Sequence, residues 1–590
     1  MYSKFRVTKR TGTYSDAIEA YGLANLINEI QKRANLSRIK LQIEDVGLYY
    51  EIISKPEIQP EHISNLSYFP LFKYVIREAN ETFEGNYFDY PKQRELKKER
   101  QTLLQKAYKD FNGKEKASLL KANLKEIERI YEEEKYIFPE LDVYSQIVTP
   151  NNFVGFDKLY RNLSSNKESF PGIVRAILDY YSGKVNELNT KLLNSFDTSV
   201  TALQIYNPNT GKGQNKGKAS GASSGSVKLN WISETMKISG ALTNMVCQLV
   251  KVGSSYDMKV VVANFRKAEY AKQKQIALAF KKSIKGNTPL KVDILNLLII
   301  NKQLIENTDE YLNFKARNVL TGLHSTYQKD LGQNKAVINI AELQTPDFIE
   351  FNTEDEAKDW VEILNEQISI IGSIDELGDA TQGLIAYRTF LTSSDFQSWA
   401  KFIFWYSDHL MKKLSKNKFS IPFRETSLNK FFKNTTMNDF KISEIVSNEG
   451  FQKVAYAIRK STVTLQYTPK EQRKFEIRYG LAQTLQSKSK STSDLAAFIG
   501  EFIATFNAET ARYAEKTGDN LRANVRENEL TNFYELLDRY PSKVVGALLA
   551  SYGFALQEKS NDGNESKKAD ISPLENEFIQ AAEELEKLDF

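Results

Sequence analysis

The chain has 590 residues, 41% hydrophobic and 26% charged, with a formal net charge of +5. That length exceeds one compact core, so two or three domains are expected, and the balance is that of an ordinary globular protein, neither disordered nor membrane-spanning. The single cysteine, Cys247, excludes an intrachain disulfide and a cysteine-built zinc site, and no run of eighteen apolar residues offers a membrane span. The opening MYSKFRVTKRTG lacks the apolar core of a secretory signal, so a cytoplasmic protein is expected.

The first ninety residues read as mixed α/β. Apolar spacing predicts a helix over 16–33, with Ser15 as its N-cap. Strands are expected at 39–43 and 48–53 around an Asp45-Val46-Gly47 turn. Residues 93–135 are dense in Lys, Glu, Leu and Ala and are broken by Asn112-Gly113, the pattern of two antiparallel helices. Further strands are predicted at 259–264, 292–300 and 336–340, with a helix at 268–282. From Glu354 onward the pattern is helical: 355–370, 395–416, 428–433, 443–462, 474–486, 492–515, 527–540 and 543–557. The expected class is therefore α+β. An irregular mixed N-terminal region (1–390) precedes an all-α helical bundle (391–557) and an acidic, partly flexible tail (558–590).

Few residues suggest catalysis. The histidines, His62, His324 and His409, are far apart in sequence, and no Gly-x-Ser-x-Gly elbow or carboxylate cluster with metal spacing occurs. No enzyme activity, metal or cofactor is expected. One loop, 206–228, is rich in Gly, Lys and Asn, and no acidic residue lies between Asp197 and Glu234. A phosphate-binding P-loop needs four residues between its glycines and a hydroxyl after the lysine. Here Gly211 and Gly217 enclose five, and Ala219 follows Lys218, so an ATPase is the weakest reading. The composition also suits a plain interdomain linker. The absence of acids over so long a window favours contact with phosphate and base edges. The candidate residues are Asn207, Asn209, Lys212, Gln214, Asn215, Lys216 and Lys218.

The second feature is a basic helical stretch. Residues 401–557 hold 24 basic and 16 acidic side chains. The basic groups gather at Lys412, Lys413, Lys453, Arg459, Lys460, Arg473, Lys474 and Arg478, then at Arg522 and Arg526, with Tyr456, Tyr467 and Tyr479 interleaved. Such a stripe can track a phosphate backbone, and it can equally be an ordinary solvated face.

Asn448-Glu449-Gly450-Phe451-Gln452-Lys453-Val454-Ala455-Tyr456-Ala457-Ile458-Arg459-Lys460-Ser461-Thr462-Val463 resembles a signature of the large subunit of type I CRISPR Cascade complexes. The likeness continues at Gln466-Tyr467, Ile477-Arg478-Tyr479-Gly480-Leu481, Phe506-Asn507-Ala508-Glu509 and Ala550-Ser551-Tyr552-Gly553. A further match is Tyr206-Asn207-Pro208 followed by Gly211-Lys212-Gly213-Gln214-Asn215 and Lys218-Ala219. The N-terminal third is similar more in length and layout than in motif.

The resemblance implies a non-catalytic subunit that reads a protospacer-adjacent motif on duplex DNA and helps open the duplex into an R-loop. Its C-terminal bundle, similar to the separate small subunit, would hold strand backbone while guide pairing supplies most of the specificity. Implied partners are the backbone, crRNA-capping and small subunits, the crRNA 5′ end region, target DNA and its separated strands, and a downstream helicase-nuclease or transposition module. No membrane partner is implied. Some members also make the bundle alone from an internal start, for which Met411 or Met437 is available here. The implied assignment gives the loop residues to the duplex and the bundle residues to strand backbone. A generic single-strand-binding helical protein is the alternative.

Overall fold

The structure is a computed structural model. It describes residues 1–64, 66, 74–82, 87–110, 120, 122–127, 129, 161, 165–187, 205–210, 231–331, 335–416, 418, 420–434, 441–468 and 470–557. The described chain is mixed, with strand-containing sheets toward the N-terminus and an all-helical region toward the C-terminus. It divides into two compact units. One is built from Met1–Pro289 with Arg317–Thr345, the other from Leu290–Ala316 with residues 346–557.

The first unit contains two four-stranded antiparallel sheets. Strands β1 (Tyr2–Thr8), β2 (Lys40–Asp45), β3 (Tyr49–Ile58) and β6 (Lys267–Glu269) lie in the order β1-β3-β2-β6. The β2–β3 connection is the expected tight turn, and Gly47 supplies its positive φ of 97°. Strands β4 (Met245–Val252), β5 (Ser255–Phe265), β7 (Leu320–Asp330) and β8 (Lys335–Gln344) form the second sheet in the order β8-β7-β5-β4.

Helices α1 (Tyr14–Arg33) and α4 (Trp231–Asn244) pack closely in this unit. Other helices here are α2 (Tyr90–Lys109), α3 (Phe170–Tyr181) and α5 (Tyr270–Ser283). The α1–α4 approach rests on two glycines. A Cβ on Gly22 would lie 1.8 Å from the Met236 carbonyl oxygen, and one on Gly240 1.9 Å from that of Ile18. Tyr21 ties α1 to β5, donating to Ala263 O (2.8 Å) and accepting from Phe265 N (3.2 Å). The N-cap of α1 is Thr13 rather than Ser15, because the Thr13 hydroxyl accepts the Ser15 amide.

The second unit is helical: α6 (Pro289–Glu306), α7 (Glu354–Gly372), α8 (Ala380–Ser393), α9 (Phe396–Ser415), α10 (Glu425–Asn434), α11 (Glu449–Ser461), α12 (Leu481–Lys488), α13 (Thr492–Thr517), α14 (Glu527–Arg539) and α15 (Ser542–Gly553). Residues 292–300, expected as a strand, belong to α6. A mostly apolar run, interrupted only by Asp293 and Asn296, fits a strand or a helix buried all round, and Pro289 at the first helical position starts the helix. The helical unit also begins earlier than residue 391, taking in α7 and α8.

Its centre is aromatic. Trp399 meets Phe390, Phe402, Phe423, Phe431 and Phe432 with ring centroids 5.1–6.0 Å apart, and Trp360 meets Phe431 edge-on at 6.0 Å. Such pairs add about 0.5–1.5 kcal/mol each beyond their burial. No described helix is long and apolar enough to cross a membrane.

Candidate nucleic-acid interface

The acid-free window is anchored at both ends on buried polar groups. On the near side, Ile205 O accepts the Tyr14 hydroxyl (2.7 Å), and Tyr206 and Asn207 are buried. On the far side, α4 carries Glu234 and Lys237 one turn apart, both buried. Asn207 joins the two. Its Nδ2 donates to Glu234 Oε2 (2.7 Å), and its Oδ1 accepts from Lys237 Nζ (2.7 Å) and the Ser15 hydroxyl (3.3 Å).

Lys237 also pairs with Glu234 Oε1 at 2.9 Å. Burial pushes the Glu234 carboxyl above the usual carboxylate range, against the opposing pull of Lys237 and Asn207. Residues 207 and 234 thus meet, which brings together the described segments on either side of residues 211–230. Asn207, expected among the base-reading residues, is instead an interior pin whose amide is committed to a buried ion pair. Asn209 is exposed on a short 3₁₀ turn, Pro208–Thr210. Lys212, Gln214, Asn215, Lys216 and Lys218 lie outside the described residues.

The signature segment folds as α11. Asn448 caps it, its Oδ1 accepting the Phe451 amide at 3.0 Å, and Arg459 and Lys460 in the last turn complement the helix dipole. Gly450 permits close passage of α14, since a Cβ there would lie 2.3 Å from Glu529 O. The preceding residues 442–446 form a separate short helix, so the single helix expected over 443–462 is broken at the cap. Phe451, Ala455 and Ile458 bury the apolar face. Much of the segment is therefore explained by packing.

The structure sorts the predicted backbone contacts by environment. Arg459 is only 2% exposed. Its Nε donates to Tyr552 O (3.2 Å), and its fork engages Glu425, with Nη2 to Oε1 at 2.9 Å. Arg522 is also interior. It lies between the rings of Phe475 (3.7 Å) and Phe506 (4.0 Å) and donates to the Thr510 hydroxyl (2.7 Å) and Glu509 Oε2 (2.9 Å). Burial pulls the Arg522 guanidinium pKa down against the support of Glu509. These two arginines are corrected from strand contacts to interior ties.

Arg478 pairs with the same Glu509 (2.8 Å) and lies over the Phe502 ring. Partial burial of Glu509 opposes ionisation, and the two arginines hold its carboxyl below the usual range nonetheless. Lys412 pairs with Asp408 (2.6 Å), Lys413 with Asp375 (2.8 Å) and Lys453 with Glu529 (3.3 Å).

The rest make no side-chain ion pair among the described residues. Arg473 spends its donors on the neutral carbonyls of Thr468 and Gln466, both at 2.8 Å. Lys460 lies over the Tyr456 ring at 5.5 Å; burial, and then neighbouring Arg459, push its ammonium pKa down. Lys474 and Arg526 are exposed and make no side-chain ion pair among the described residues.

Direct contacts bring much of this set together. The Tyr456 hydroxyl accepts the Ala523 amide (3.3 Å), placing α11 beside the segment that carries Arg522 and Arg526. Phe475, adjacent to Lys474, contacts both Arg522 and the Tyr513 ring (5.4 Å). Gln466 extends the chain of contacts to the last turn of α9, donating to Leu414 O (3.0 Å). The result is a cationic neighbourhood around an Arg522–Glu509–Arg478 hub, with aromatic rings interleaved.

Phe475, Phe506 and Glu509 organise that hub, and charge reading alone does not find them. For Arg459 a signal exists, because it stands four residues after Ala455 and eight after Phe451, on the apolar face of its helix. No protein-family model matches the chain, and no curated protein matches it significantly.

Proposed function

We propose that this chain is a nucleic-acid-handling subunit without catalytic activity, working as the large subunit of a type I CRISPR Cascade complex. In this reading the acid-free loop meets duplex DNA at the protospacer-adjacent motif, and the helical unit holds strand backbone as the R-loop opens. The crRNA-guided subunits supply sequence recognition by base pairing, and a helicase-nuclease or transposition module docks afterwards.

The observation that carries the proposal is that Lys460, Arg473, Lys474 and Arg526 stand on segments joined by the Tyr456–Ala523 and Phe475–Arg522 contacts. Among the described residues these cations make no side-chain ion pair, and the hub fixes the segments bearing them. Lysine and arginine held this way suit phosphate contacts that are blind to sequence. The buried Asn207–Glu234–Lys237 anchor supports the loop assignment by holding the two ends of a lysine-rich stretch at one point.

The test is fluorescence anisotropy with a labelled single-stranded DNA over a salt series. Replacing Lys460, Lys474 and Arg526 together with glutamine removes three charges. It should flatten the slope of log K against log salt by about 2, at roughly 0.7 per phosphate contact on a single strand. An unchanged slope and affinity sinks the assignment of this face. A chain that acts alone as a generic single-strand binder shares this patch chemistry; it differs in showing no preference for flanking duplex sequence.

A further inference from the structure

We propose that the cleft between β1 and the C-terminal end of α3 binds the phosphate of a nucleotide. The cleft lies wholly in the first unit and the proposal is independent of the helical unit's role. Its volume is about 440 Å³, within the range of small-molecule sites.

One wall follows from strand alternation. Phe5 and Val7 point into the core, which leaves Lys4, Arg6 and Thr8 on the open side of β1, an edge strand. Alternate residues of a strand stand about 6.6–6.8 Å apart, so the Lys4 and Arg6 side chains can converge on one anion. Arg10 joins them from the following loop.

Arg10 is positioned from two directions. The Asp16 carboxylate accepts the backbone amides of Arg10 (3.1 Å), Thr11 (3.1 Å) and Gly12 (2.9 Å), which fixes the loop. The guanidinium donates to the Tyr180 hydroxyl at 2.6 Å on the opposite wall. That partner is neutral, so the charge of Arg10 is directed but not cancelled.

Two carboxylates lie at the cleft. Glu51 serves both Lys4 (2.9 Å) and Arg6 (3.5 Å), one negative charge for two positive ones. Glu19, which lines the cleft, accepts the hydroxyls of Tyr181 and Ser233, each at 2.8 Å. Glu19 keeps its charge on these neutral donors, so three cations face the two carboxylates Glu51 and Glu19, a net positive charge of one at the opening. Arginine binds phosphate as a two-pronged donor, and threonine adds a hydroxyl. Across from them the half-buried Tyr180 is backed edge-to-face at 5.1 Å by buried Tyr181, which leaves Tyr180 as the ring available to a base or sugar. A free nucleotide and one nucleotide of a strand present the same chemistry here.

The test uses the full-length chain and a fluorescent, ribose-labelled AMP, displaced in turn by AMP, adenosine and a single-stranded DNA pentamer. AMP should bind saturably, and adenosine, lacking phosphate, at least tenfold more weakly. Removing two charge-assisted contacts in Arg6→Gln/Arg10→Gln should weaken AMP about tenfold or more. Lys40→Gln, exposed on the same sheet outside the cleft, should leave binding unchanged. Circular dichroism checks that the double variant folds; if it does not, the exposed Lys4→Gln variant provides the same readout, with a severalfold loss expected.

A pentamer that displaces the label more tightly than AMP assigns the cleft to a strand. The reverse order assigns it to a free nucleotide. The proposal is overturned if AMP does not bind by about 1 mM, if adenosine binds as well as AMP, or if Lys40→Gln weakens binding as much as the cleft variants.

Discussion

Arg459→Leu separates a structural tie from a nucleic-acid contact. The Arg459 side chain is 2% exposed, its fork engages Glu425 and its Nε meets Tyr552 O. Leucine fills part of the space and removes the charge. Glu425 then loses its counterion and the Tyr552 carbonyl its donor. Breaking a buried pair from one side costs about 3–5 kcal/mol, and an unsatisfied carbonyl about 1–3 kcal/mol, terms that overlap. Glu425 is 25% exposed, so water recovers some of its solvation, which places the loss near the lower end, about 3 kcal/mol. The assay is urea unfolding followed by circular dichroism, with the denaturation slope checked for constancy. Adding Glu425→Leu should restore part of the loss, because both charges are then gone. A variant within about 0.5 kcal/mol of the parent in stability, yet weakened on DNA, refutes the reasoning and returns Arg459 to the surface chemistry.

Four further outcomes are expected. Asn207→Ala leaves Glu234 and Lys237 short of a buried partner and should cost about 1–3 kcal/mol, with faster amide exchange in α1 and α4; unchanged exchange would remove the anchor from the account. Gly240→Ala drives a methyl to 1.9 Å from Ile18 O, so the helices must separate, costing about 1–3 kcal/mol or more in thermal or urea unfolding; a neutral effect contradicts the close α1–α4 approach. Glu509→Gln tests pH dependence. The folded carboxyl pKa is lowered, so its stabilising contribution is present above the unfolded value of about 4.3 and lost as pH falls through the folded one. The variant should therefore lose stability near neutrality and show a shallower decline on acidification; an unaltered acid limb argues against the arginine pairing. Lys412→Gln removes a cation already paired with Asp408 and should change the DNA salt slope less than Lys474→Gln does; equal effects would show that pairing does not sort these residues.

Much of the architecture was legible because periodicity and turn chemistry agreed. The helices at 355–370, 395–416 and 492–515 appear as α7, α9 and α13 within about two residues at each end, and the Asp45-Val46-Gly47 turn joins β2 to β3. What failed had identifiable causes. The run 292–300 is buried on every face, Asp293 and Asn296 included, so its period does not separate helix from strand. The helix expected at 474–486 begins only at Leu481, because the preceding residues are used otherwise: Phe475 covers Arg522, and the Arg478 amide bonds to Ser461 O at 3.0 Å. Strand β1, whose alternation of Phe5 and Val7 with Lys4, Arg6 and Thr8 forms one wall of the cleft, lies outside the expected strands. At the candidate site, the sign of the charge was readable but its destination was not. Whether an arginine faces solvent depends on partners such as Glu425, Glu509 and Tyr552, which are distant in sequence.

The central claim is most directly tested by assembling the guide-loaded complex with and without this chain. Binding to duplexes carrying randomised bases beside the guide-matched target is then measured. The account predicts a preference for particular flanking bases that disappears when the chain is omitted, and that relaxes when Gln214 and Asn215 are replaced by alanine. A preference that survives omission of the chain, or an assembly into which the chain does not enter, contradicts it.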